Sequence, residues 1–291
     1  MTPRITRSLH PGFGVEVAGV DLRDVTATDG FAEIRRWFDE YSLLLFRDQT
    51  LDDAAHLRLA ARFGPIEDRA FGAMGDAPRM ANVTNRLEDG SISAADDLHT
   101  LDLTGNQLWH TDSIFLPVPA IVNVLAARVL SSTGGETEFA STRTGWRDLP
   151  GPLRERLDGA VLSHRLAHSR RGISAELVER HRSRFDDQRW TSTWTNPSTG
   201  ERSLYLASHT YAVDGDESDE AQALIDDTIA WCTTPDRVYT HEWRLGDGRR
   251  GDERAVLHRG RPGPCDEERT LASVCASATE ADGLASIRPP G

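Results

Sequence analysis

The residues Trp109-His110-Thr111-Asp112-Ser113 place a histidine and an aspartate two positions apart, and the stretch from about 107 to 115 around them predicts a β-strand. On a strand, residues i and i+2 point to the same face, so one imidazole and one carboxylate can enter one cavity. A plainer interpretation stays open, in which the two side chains are simply a hydrogen-bonded pair. A metal site would need a third ligand from elsewhere in the chain.

A second segment, Arg254-Ala-Val-Leu-His258-Arg-Gly-Arg-Pro262, puts a histidine at the end of a short apolar strand. Arg269 follows, and its planar guanidinium suits a carboxylate held through two hydrogen bonds. Gly134-Gly-Glu-Thr137 precedes both and predicts a turn followed by a strand. Each feature alone has an ordinary explanation, such as a surface histidine or a solvated arginine. Together, in this order, they favour two histidines and one carboxylate around a non-haem Fe(II) ion.

The bulk composition excludes several other classes of protein. The chain has 291 residues, a formal net charge of −13 and a pI near 5.2, which argues against a nucleic-acid partner bound through its phosphates. It contains no lysine, so Schiff-base and P-loop chemistry are excluded. Three cysteines without C-x-x-C pairs, and no long apolar stretch, predict a cytoplasmic protein with no membrane partner. Oligomeric state is left open, a homo-oligomer included.

Short strands separated by helices predict one domain over residues 1–291, with a double-sheet jelly roll as its core. Polar and glycine-rich sequence from about 68 to 105 predicts a mobile lid over the site. Helical patterns predict an insert at about 143–187. The glycines and arginines of 246–254 are poor strand formers for a buried position, so the strand leading to His258 is expected to be frayed or exposed.

The motifs quoted above resemble those of the taurine dioxygenase and 2,4-dichlorophenoxyacetate dioxygenase family, and within it the phenoxypropionate dioxygenases. The N-terminal segments Gly14–Asp21, Ser42–Gln49 and Ala60–Pro65 are similar to that family as well. The resemblance implies a double-stranded β-helix and an Fe(II)-dependent oxygenase with 2-oxoglutarate (α-ketoglutarate) as cosubstrate. O2 is then consumed to hydroxylate a small organic substrate, a carboxylate among the candidates, with release of succinate and CO2.

The same resemblance implies a role for individual residues. His110, Asp112 and His258 would hold the iron, and Thr137 with Arg269 would bind the distal carboxylate of 2-oxoglutarate. Three further residues are weaker candidates for contact with the substrate: Asn106, Arg69 and Ser113.

Two departures from the family pattern matter. Where the taurine enzyme has a second arginine for the sulfonate, this chain has Ser273, which makes a sulfonate held in that way doubtful. The unusual stretch before His258 also leaves a rival open, a degenerate member that binds metal or 2-oxoglutarate as a sensor without turnover. A zinc-binding jelly-roll protein is a third reading, but it leaves Arg269 and Thr137 without a function.

Overall fold

The computed structural model describes residues 2–24, 30–67 and 80–290, which form fifteen strands and eight α-helices. The strands are β1 (Arg4–His10), β2 (Phe13–Ala18), β3 (Leu43–Phe46), β4 (Ala81–Thr84), β5 (Ala120–Val129), β6 (Thr137–Ser141), β7 (Val161–His164), β8 (Gln188–Thr191), β9 (Thr193–Thr195), β10 (Arg202–Leu204), β11 (Thr210–Val213), β12 (Val238–His241), β13 (Gly248–Asp252), β14 (Val256–Gly260) and β15 (Thr270–Ser277). The helices are α1 (Gly30–Tyr41), α2 (Asp53–Ala60), α3 (Leu98–Thr104), α4 (Thr142–Arg147), α5 (Gly151–Leu157), α6 (Leu166–Ser169), α7 (Ala175–Arg182) and α8 (Asp219–Cys232).

A seven-stranded sheet is the largest element, with the strand order β1-β2-β3-β13-β5-β15-β4. All its neighbouring pairs are antiparallel except β2 and β3, which run parallel. The apolar run that predicts a buried strand after α1 forms β3, all four of whose residues are buried. One face of this sheet is covered by α1 and α2, whose apolar side chains pack in the same core as β3 and β5.

A three-stranded sheet, β12-β6-β14, lies against the other face of the large sheet. The guanidinium of Arg249 on β13 stacks over the ring of Phe139 on β6, with 4.2 Å between Cζ and the ring centroid. A cavity also opens between the sheets, with Asn123 and Leu125 from the large sheet and Thr137 and His258 from the small one in its wall. The site therefore lies between two sheets, in a fold that consists mainly of β-strands with inserted helices.

Strand β13 corrects the expectation of a frayed strand before His258. Gly248–Asp252 is central in the large sheet, pairs with β3 on one side and β5 on the other, and is buried throughout. Its two arginines are compatible with burial because each guanidinium lies on an aromatic face, Arg249 on Phe139 and Arg250 on Phe46. Strand propensity failed here because tertiary packing overrides it.

Three other expectations need adjustment. Residues 107–115 do not form a strand: a 3-10 turn over Gly105–Gln107 is followed by one isolated bridge and a turn. Within 68–105, the described part carries β4 and α3, and β4 pairs with β15. The insert at 143–187 contains the predicted helices but also the strand β7. Among the described residues, no helix has the length and apolarity needed to cross a bilayer.

Candidate metal centre and its cavity

Three side chains from two distant segments converge at the mouth of the small sheet. His110, Asp112 and His258 each present a ligand atom, and these atoms lie within 4.8 Å of one another. The segments are joined by a backbone bridge, in which the N–H of His110 donates to the carbonyl of His258 at 3.0 Å and the reverse bond is 2.8 Å. Residues 110 and 112 thus converge through a bridge followed by a turn, rather than through the alternation of a strand.

Both imidazoles are arranged with one nitrogen towards the cluster. Nδ1 of His110 lies 2.7 Å from the carbonyl of Leu108 and must donate to it, which leaves Nε2 as a lone-pair donor. Nε2 of His258 lies 3.7 Å from Oδ2 of Asp112. Burial lowers the pKa of His110. Burial also lowers the pKa of His258 well below its usual value, and the nearby His110 and Arg249 add to this effect. Neutral histidines and a carboxylate are a donor set that fits a divalent transition metal.

Asp112 is fixed by a short chain of hydrogen bonds from the large sheet. Nδ2 of Asn123 donates to its Oδ2 at 2.5 Å, and Oγ of Ser273 donates to Oδ1 of Asn123 at 2.9 Å. Ser273 is 1% exposed, and its hydroxyl is engaged in supporting the Asp112 carboxylate through Asn123. Support of this kind orients ligands and tunes the metal that they bind.

Glu253 supports the segment of Thr111 and Asp112 through hydrogen bonds. One of its carboxylate oxygens accepts the hydroxyl of Thr111 at 2.8 Å and the N–H of Asp112 at 2.7 Å, and it lies 3.9 Å from Nδ1 of His258. Burial first, and then the charge of Asp112, raise the pKa of Glu253 to about 8. Sequence reasoning missed this residue because it lies in the stretch that we expected to be frayed.

A second cluster lies where the resemblance places the distal carboxylate of 2-oxoglutarate. Nη2 of Arg269 donates to the carbonyl of Gly135 at 2.7 Å, while its buried Nε has no hydrogen-bond partner among the described residues. Gly135 has a φ of 71°, a backbone conformation that favours glycine. A Cβ at this position would also lie 2.6 Å from Nε of Arg269, so a larger residue would displace the guanidinium. Nε1 of Trp243 donates to Oγ1 of Thr137 at 2.9 Å, which leaves the hydroxyl proton of Thr137 free for an anion.

These clusters share one cavity of about 240 Å³, lined by His110, Asp112, His258, Thr137 and Arg269 together. The weaker substrate candidates fall as follows. Asn106 and Ser113 also line this cavity, and Oγ of Ser113 donates to Glu67 at 2.6 Å. Arg69 lies outside the described residues.

The cavity also contains a group that sequence reasoning missed, formed by Asp102, Arg170, His181 and His209. These residues come from α3, from the end of α6, from α7 and from the segment before β11. The only available signal was the dense run of histidine and arginine around residue 170, which by itself is typical of a solvated helix face.

Comparison with known proteins agrees with this geometry. Residues 5–275 match the family described as taurine catabolism dioxygenase TauD, TfdA family. The chain is 31% identical to an α-ketoglutarate-dependent 2,4-dichlorophenoxyacetate dioxygenase from Cupriavidus pinatubonensis, over 88% of this chain and 92% of the relative. It is 30% identical to an (S)-phenoxypropionate/α-ketoglutarate dioxygenase from Sphingobium herbicidovorans, over 90% and 91% of the two chains.

Among solved structures, the protein is similar to AAD-2 in complex with Mn(II) and N-oxalylglycine. The TM-score is 0.86 at 32% identity, with 97% of this chain and 99% of that chain covered. The chain therefore belongs to the TauD/TfdA family. It is a 2-oxoglutarate-dependent dioxygenase, and its cofactors are Fe(II), 2-oxoglutarate and O2.

Proposed function

We propose that this enzyme hydroxylates a small organic acid, with His110, Asp112 and His258 as the iron ligands and with Thr137 and Arg269 as the anchors of 2-oxoglutarate. The observation that carries the proposal is that all five side chains line one cavity between the two sheets. The two sheets around that cavity form the core of a double-stranded β-helix. The family relatives support an acidic substrate, because two of them are named for aryloxy acids.

The roles of the protein residues follow from their chemistry. When bound, Fe(II) with 2-oxoglutarate and O2 supplies the oxidising power, and the cosubstrate leaves as succinate and CO2. Nη1 and Nε of Arg269 and the hydroxyl of Thr137 offer donors to the distal carboxylate. Asn123 and Glu253 keep the Asp112 segment in place, so that the Asp112 carboxylate would be held ready for Fe(II).

Residues from 80 to 106 complete the site as a cover. Met80, Ala81 and Val83 from the segment of β4, and Gly105 and Asn106 after α3, all line the cavity. We assign to this stretch the function of a lid, which shields the reacting atoms from water. The rest of the predicted lid, residues 68–79, lies outside the described residues. A single enzyme domain in a reducing, cytoplasmic compartment is consistent with a chain of three cysteines, two of them buried.

The test is substrate-dependent succinate formation. The purified protein with Fe(II), ascorbate and 2-oxoglutarate is assayed against a panel of aryloxyacetates, 2-aryloxypropionates and aliphatic acids. We expect at least one acid to raise succinate release well above the uncoupled rate, with stoichiometric hydroxylated product or its breakdown product. If iron and 2-oxoglutarate bind but no acid stimulates turnover, the degenerate, non-catalytic alternative is favoured instead. Strand β13, whose expected disorder motivated that alternative, is buried and fully paired.

A further inference from the structure

Arg170 is a buried cation in the cavity wall that neither the metal nor 2-oxoglutarate accounts for. It follows α6 directly and is 7% exposed. Its Nε donates to Oδ1 of Asp102 at 2.8 Å, and its Nη1 donates to Oγ of Ser169 at 2.9 Å. Nη2 makes no hydrogen bond to any residue that the structure describes. The guanidinium is therefore held by two of its nitrogens, and the residue lines the cavity.

Gly105 shows that the position of this guanidinium is specified. A Cβ added there would lie 2.1 Å from Nη1 of Arg170 and 2.2 Å from its Cζ, so the guanidinium rests directly on the glycine. The φ of Gly105 is −58° and its ψ is −28°, values that any residue adopts in a helix. Any larger residue at this position would therefore have to displace the guanidinium of Arg170.

The walls beside Arg170 are apolar and aromatic. The rings of Phe115 and Phe185 meet edge to face at 5.3 Å, and His209 meets Phe115 in the same way at 5.1 Å. His209 lies 6.4 Å from the ring of His110, so this aromatic group adjoins the metal ligands. His209 is buried and lines the cavity together with Phe115 and Phe185.

The charges of the cavity point the same way. Among its described lining residues, the arginines are Arg170 and Arg269, and Arg269 adjoins Thr137 at the cosubstrate position. Ser273 is engaged with Asn123. Besides Arg269, the described wall thus offers one arginine for the acidic group of a substrate, beside aromatic rings. Asp102 pairs with this arginine and with His181, which also lines the cavity.

We propose, on the basis of the function assigned above, that Arg170 is the substrate anchor: its Nη2 binds the acidic group of an organic monoanion whose apolar body packs on Phe115 and Phe185. A hydrogen on that body then lies next to the metal ligands. Asp102 is a positioning residue, because it fixes Nε of Arg170 and so aims the remaining donor. Burial acts against the charge of Asp102, but His181 and Arg170 outweigh it and lower its pKa to about 2, so Asp102 keeps that function at neutral pH.

Binding without turnover tests the anchor separately from the chemistry. The full chain is loaded with Mn(II) and N-oxalylglycine, and calorimetry measures the affinity for three acids: 2,4-dichlorophenoxyacetate, 2-phenoxypropionate and hexyl sulfate. We expect Arg170→Met to weaken the acid that binds the wild type by at least about 30-fold, since a buried charged partner is removed. Gly105→Ala should weaken it in the same direction, because it displaces the guanidinium. Arg171→Met, a change at the adjacent exposed arginine, should leave the affinity within about twofold.

Two readouts distinguish a lost anchor from a damaged fold. The affinity for N-oxalylglycine should be the same in wild type and Arg170→Met, and the methyl ester of the bound acid should not distinguish the two proteins. The anchor is overturned if Arg170→Met binds the acid as the wild type does, if ester and acid lose affinity equally, or if the wild type binds none of the three acids. An acid that binds through Arg170 without stimulating succinate release would instead contradict the proposed function and leave the anchor standing. If Arg69→Met, and not Arg170→Met, abolishes acid binding, the anchor is assigned wrongly.

Discussion

Arg254 provides a test of how the structure holds the turn between β13 and β14, the strand that carries His258. It is 1% exposed, and its Nη2 donates to Oδ1 of Asp39 at 2.6 Å and to Oδ2 of Asp252 at 2.9 Å, while its Nε donates to Oδ1 of Asp252 at 2.8 Å. The change Arg254→Met keeps much of the volume but leaves two buried carboxylates without this partner. Asp39 retains Arg35, at 2.9 Å, whereas Asp252 is 0% exposed and loses its guanidinium.

Removing one partner from a buried ion pair costs about 3–5 kcal/mol of unfolding free energy. At roughly 2–4 °C per kcal/mol for a domain of this size class, the melting temperature should fall by on the order of 10 °C. The assay is urea denaturation followed by tryptophan fluorescence, together with a thermal scan, on the metal-free protein.

Arg250→Met is the matched control. Arg250 is also fully buried and lies on β13, four residues before Arg254. Its guanidinium has no hydrogen-bond partner among the described residues and rests on Phe46 at 4.4 Å. Burial lowers its pKa to about 9. Removing a charge that is costly to bury should leave the protein at least as stable as the wild type. An equal loss in both variants would mean that side-chain volume, not ion pairing, determines the effect, and a loss under about 1 kcal/mol in Arg254→Met would refute the reasoning outright.

Three further predictions concern the site and its pH dependence. The pKa of Glu253 is raised from 4.5 to about 8, so the folded metal-free protein binds one more proton than the unfolded chain between these pH values. Its stability should therefore fall as the pH rises from 4.5 to about 8. Glu253→Gln should remove that slope in denaturation curves recorded with a chelator. Asp39 has the opposite effect. Burial opposes its ionisation, but Arg35 and Arg254 outweigh burial and lower its pKa below 3.8, so stability should be lost as the pH falls below that value. Asp39→Asn should flatten the dependence of stability on pH in this acid range. Trp243→Phe removes the hydrogen bond to Thr137 and should raise KM for 2-oxoglutarate by roughly 3- to 10-fold with the affinity for Fe(II) unchanged, whereas an unchanged KM would show that Thr137 needs no such support.

The sequence was most informative where local pattern and chemistry coincide. The glycines before Thr137 predicted the turn that Arg269 packs against, and the helical patterns of 143–187 predicted the helices found there. These features depend on residues near in sequence or on backbone conformations that few residue types adopt.

What the sequence could not show depends on burial and on distant contacts. Arg249 and Arg250 look like surface residues until β3, β5, Phe46 and Phe139 surround them. The segment of His110 was predicted as a strand, but its backbone has a single bridge, to His258, which is 148 residues away.

The partners of the site were invisible for the same reason. Asn123 and Glu253 contact Asp112 from two separate segments, and Ser273 supports Asn123 from a third, so no local motif joins them. The position of the Arg170 guanidinium was not predictable either, because it depends on Gly105, which lies on another element of the chain.

The most direct measurement is an anaerobic titration of the protein with Fe(II) and 2-oxoglutarate, followed by the visible charge-transfer band of the chelated cosubstrate. We predict a band that saturates at one Fe(II) per chain in the wild type and is lost in His110→Ala and His258→Ala. In Arg269→Met it should need at least about 30-fold more 2-oxoglutarate, because that variant keeps the metal ligands but not the cosubstrate anchor. A normal band in His258→Ala, or no band in the wild type, would contradict the assignment of this site.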